Sequence, residues 1–92
     1  MTTTLETPIK TRDAHELMRR SGGGMRVRLL WFPSTNDLLV EQLDIGSGTI
    51  IYRETSHEEN LEVFHHPTVY PEAKLDFAPN VTAGAIEEVS LY

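Results

Sequence analysis

Between Met25 and Thr55 the sequence alternates with a period of two, which suits a β-sheet and not a helix. Met25, Val27, Leu29 and Trp31 fall on one side of the pattern, and Arg26, Arg28, Leu30 and Phe32 on the other. Pro33-Ser34-Thr35-Asn36-Asp37 is a turn by composition. Leu38–Ile45 is the next strand. Leu39, Leu43 and Ile45 share a face interrupted by Glu41, while Leu38 and Val40 share the opposite face with Gln42 and Asp44. Gly46-Ser47-Gly48 offers the positive φ values of a hairpin connection, and Thr49–Thr55 returns as a third strand.

A helix is predicted next. Ser56-His57-Glu58-Glu59 has the form of a capping box, and Leu61 and Phe64 are spaced to bury one helical face. Pro67 ends the element near Phe64 or His65. The expected fold class is α+β: a small antiparallel β-meander of three to four strands with one short helix packed on one face.

The flanks read differently. Residues 12–20 are good helix formers, with Thr11 as a candidate N-cap and Arg19-Arg20 suiting the negative end of a helix dipole. Ser21-Gly22-Gly23-Gly24 then reads as a flexible joint. The expected organisation is a flexible arm over 1–24 carrying a short helix at 12–20, a domain over 25–71, and an acidic flexible segment over 72–92.

Ninety-two residues without cysteine allow one small domain of modest core, with no disulfide and no cysteine-based zinc site. Large apolar groups stand on both faces of the meander, Trp31 on one and Phe32 on the other. One helix covers only one face, so the N-terminal helix, the C-terminal segment or a second subunit must cover the other, and a subunit is the favoured expectation.

The net charge is −6, and all of that excess lies in residues 56–92, where one lysine stands against seven acids. Such a surface repels phosphate backbones, so nucleic acid is an unfavoured partner. The first residues have neither a basic nor an apolar stretch of the signal-peptide kind. The longest apolar run, Leu29–Pro33, is five residues, far short of a membrane span. The expectation is a cytoplasmic protein with no membrane partner.

No residue constellation points to catalysis, a cofactor or a metal. His65 and His66 are adjacent and would diverge on a helix, and His57 lies two turns away from His65. The expected role of His65 and His66 is capping the helix C-terminus. Glu58 and Glu62 read as a solvated helix face, and Asp44 and Glu54 lack a third group to complete a site. Neither Gly46-x-Gly48 nor Gly22-Gly23-Gly24 belongs to a nucleotide-binding motif. Two candidate sets remain. Trp31, Phe32, Tyr52, Phe64 and Tyr70 are rigid aromatic anchors of the kind interfaces use. Arg26, Arg28 and Arg53 are the candidates for anion or nucleic-acid contact.

The run from Val27 to Pro71, with a strand ending in Leu-Leu-Trp and a helix closing in Phe-His-His-Pro, resembles short bacterial proteins of unassigned function. That resemblance implies a bacterial source and no particular activity. The function expected is a noncatalytic role in protein–protein interaction or homodimerisation through an apolar sheet face. The alternatives are a small regulator touching nucleic acid through its sheet arginines, then an enzyme or metal-binding protein with its site at a subunit interface.

Overall fold

The computed structural model describes residues 10–82. Its sheet has five strands: β1 (Thr11–Gly22), β2 (Met25–Phe32), β3 (Asp37–Asp44), β4 (Ile50–Thr55) and β5 (Ala78–Thr82). Their order is β4-β3-β2-β1-β5. The first four pair antiparallel, and β5 lies parallel to β1. The sheet is mixed and curled into a half-barrel, with one helix, α1 (Asn60–His65), between β4 and β5 in the chain. This corrects the expected three- to four-stranded antiparallel meander.

The correction begins at β1. Residues 12–20, expected to be helical, lie within a twelve-residue strand. Local propensity loses here to pairing, because β1 forms a full ladder with β2 from His15↔Trp31 to Gly22↔Met25. The glycine run is a turn, not a joint. Gly23 and Gly24 have φ of 61° and 80°, the two left-handed positions of a tight hairpin turn, which glycine occupies without steric penalty. The register of β1 slips at a bulge between Glu16 and Met18.

The central meander follows the sequence pattern. Val27, Leu29, Leu38 and Val40 share one face and pack there with Val63 and Phe64 of α1. Ser56 Oγ accepts the backbone N–H groups of Glu58 and Glu59 at 3.3 and 3.1 Å, stopping strand β4 and turning the chain toward α1. Pro67 opens a 3₁₀ turn, Pro67–Val69, where the α-helix can no longer propagate.

The second face is covered from within the chain. The Ala73 N–H donates to the Tyr52 carbonyl at 2.7 Å on the β4 edge, and the Ala78 N–H donates to the Lys10 carbonyl at 2.7 Å at the start of β1. The strap between these points crosses the face opposite α1. Its Leu75 and Phe77, with Tyr52 and Val81, pack against buried Ala14, Leu30, Phe32 and Leu39. The C-terminal segment, through residues 72–82, thus covers this face in place of the favoured second subunit. The expectations for residues 1–9 and 83–92 lie outside the described residues. No helix among the described residues is long and apolar enough to cross a membrane.

Candidate functional site

Along the strap face, alternate residues of the strands form successive rows. Arg28, Glu41 and Tyr52 are cross-strand partners on β2, β3 and β4. Arg28 Nε and Nη2 donate to the two Glu41 carboxylate oxygens at 2.6 and 3.0 Å, a bidentate clasp. Arg28 Nη1 donates to Glu16 at 3.0 Å, and Arg19 holds the same carboxylate through two bonds of 2.9 Å. Arg26 Nη2 stands 3.6 Å from Glu41, and the Tyr52 hydroxyl reaches that carboxylate at 3.3 Å. The Glu41 and Glu16 side chains are 4% and 8% exposed.

Burial tends to raise the Glu16 pKa, but the hydrogen bonds and charges of Arg19 and Arg28 outweigh it and hold the carboxyl below its ordinary value. Burial, reinforced by the Glu41 charge, pushes the Tyr52 phenol up to about 12. Hydrogen bonding to Glu41 raises Arg28 further. All three groups are driven away from neutrality, the reverse of the tuning that acid–base catalysis requires.

The three arginines read from the sequence do not converge. Arg26 and Arg28 lie in this network, while Arg53 is on the helix face, where it donates to the Tyr70 carbonyl at 2.8 Å and to Gln42 Oε1 at 2.6 Å. Of the five aromatic anchors, Phe32 and Phe64 are fully enclosed, and Trp31, Tyr52 and Tyr70 are half-buried. Trp31 Nε1 donates to Asn36 Oδ1 at 2.8 Å, and His57 Nε2 lies 2.8 Å from the Asn36 carbonyl, so these side chains tie the β2–β3 turn to the start of the helical segment. His66 is the C-cap residue of α1, its backbone N–H donating to the Glu62 carbonyl at 2.9 Å, and the last carbonyls are held by a residue with no such signal in the sequence. Arg20 of β1 donates to the Phe64 and His65 carbonyls at 2.8 and 3.1 Å, and the His65 ring instead packs edge-on against Phe64.

At the opposite end of the strap face from Arg26, by the β2–β3 turn, a cleft of about 230 Å³ opens. Phe32, Leu39, Leu75 and Phe77 supply its apolar surface, and Arg12, Asp37, Glu54 and Thr55 its polar surface. Arg12 is stationed between two rings, its guanidinium 4.8 Å from the centroid of Phe32 and 4.7 Å from that of Phe77. It also donates to Thr35 Oγ1 and stands 3.5 Å from Asp37. Glu54 projects from β4 on the same face, because it is the cross-strand partner of Leu39. Arg12 and Phe77 carry no mark in the sequence as a site. They meet only because β5 pairs with β1 over sixty residues of chain.

Among the described residues, no group of three or more histidines and acids is placed to hold a metal ion. The chain matches no known protein family, no curated protein and no solved structure.

Proposed function

We propose that this chain is a small noncatalytic protein that binds another protein, with the cleft beside Arg12 as its contact. The cleft carries the reading: a concavity of this size, part apolar and part polar, can seat a single anchoring side chain of a partner. Two further observations support it. Arg28 and Arg53 are hydrogen-bonded within the chain and Arg26 stands 3.6 Å from Glu41, which leaves little free guanidinium for a phosphate backbone. The strap covers the apolar face that called for a second subunit, so self-association loses its original argument.

A displayed library of random peptides selected against the full-length protein tests this reading. Peptides should be enriched that no longer bind once Leu75→Arg fills the cleft, while sedimentation shows the free protein monomeric. Enrichment insensitive to that variant, or no enrichment at all, would count against the proposal. A dimer whose formation Leu75→Arg abolishes would point to self-association instead.

A further inference from the structure

We infer that the cleft takes a basic side chain, a lysine or arginine presented by the partner; this rests on the protein-binding reading above. Charge is the first argument. Its rim holds Asp37 and Glu54 against the single cation Arg12, and the chain as a whole is acidic. Asp37 is already paired with Arg12 and is 64% exposed on its side chain, so it can serve a second cation from solvent. Among the described residues the Glu54 carboxylate has no hydrogen-bond or ion-pair partner, and it is exposed on an edge strand.

The lining supplies the second argument. Lysine and arginine carry an apolar stem that prefers hydrocarbon and a charged head that prefers carboxylate or water. Leu39 and Leu75 offer the first kind of surface, and Glu54 with Thr55 the second. The wall already binds such a group in Arg12, whose guanidinium rests on Phe32 and Phe77 with a carboxylate close by. An anion would find no comparable welcome, because the Arg12 guanidinium is committed to two rings, Thr35 and Asp37.

The probe is n-butylamine, a lysine side chain without its backbone, titrated into isotope-labelled full-length protein and followed by amide NMR shifts. Saturable shifts are expected at Asp37, Glu54, Thr55 and Phe77, with millimolar affinity that weakens on adding salt. Glu54→Gln, an exposed and isosteric change, should weaken binding about fivefold with the spectrum otherwise unaltered. Sodium butyrate should produce no shifts there. Butyrate binding as well as the amine, or amine shifts that do not saturate or ignore Glu54→Gln, would overturn the inference. The two readings fail separately. Cleft-dependent peptides lacking a required basic residue would leave protein binding standing and remove the basic side chain. Amine binding without any peptide ligand would do the reverse.

Discussion

The two faces of the sheet solve burial in different ways. On the helix face, Val27, Leu29, Leu38 and Val40 meet Val63 and Phe64 in a hydrophobic cluster, and its buried arginine, Arg53, is bonded to a carbonyl and an amide. On the strap face the apolar groups gather toward one end, and the row beyond them is charged, with Glu16 and Glu41 held by arginines. The first arrangement stabilises by removing hydrocarbon from water. The second gains little net stability, because desolvating charges offsets much of their attraction, but each partner becomes costly to remove alone. Specificity of pairing is what the charged row contributes. Arg28 opposite Glu41 fixes the β2–β3 register, since a one-residue slip of either strand would carry one of the two to the helix face and leave the other behind.

The contrast can be broken most forcefully from the helix side. Phe64→Ala should lower unfolding free energy by about 3–5 kcal/mol, read from urea denaturation, because it empties the centre of a cluster with little freedom to collapse. A loss below about 1 kcal/mol would mean that α1 contributes little to the core. On the strap side, Glu41→Gln should cost about 3 kcal/mol, since Arg28 and Arg26 lose a buried counter-charge. The double change Arg28→Met with Glu41→Leu should recover most of that loss. If the double variant is no more stable than the single, the row acts by packing and the contrast fails.

The smallest effect is a pH dependence. Glu16 has a folded pKa below its ordinary value of 4.5, so its stabilisation is present above that value and is lost as pH falls through the lower folded pKa. Denaturation midpoints should therefore drop in that acid window, and Glu16→Gln should flatten the drop while lowering stability at neutral pH.

The central meander was legible because alternation, turn composition and register agree there. Val27 and Leu29 on one face, and Leu30 and Phe32 on the other, stand as their spacing predicts. β1 was not legible, and the bulge explains why. Ala14, Leu17 and Met18 are spaced as one face of a helix. In the strand, Ala14 packs on the strap face, while the irregularity lets both Leu17 and Met18 pack toward the helix-side cluster. A strand with a bulge can thus counterfeit a helical period. The last two of the three glycines before Met25 were the available signal, since a glycine pair is also the signature of a tight hairpin. β5 had no signal of its own: five residues, one of them Pro79, acquire strand form only by lying along β1. The cleft inherits that opacity, as Arg12 and Phe77 belong to segments whose meeting depends on the β1–β5 pairing.

That pairing also sets an order of events in time. β1 through β4 join neighbours across short turns and can assemble locally, whereas β5 must find a strand that left the assembly point more than sixty residues earlier. Contact-order reasoning therefore expects the strap to close after the meander. Because Leu75 and Phe77 form one wall of the cleft, a chain whose meander is complete but whose strap is open has no place to hold a partner. On the proposed reading, recognition is thereby made conditional on finished folding, because the cleft exists only once β5 has paired with β1.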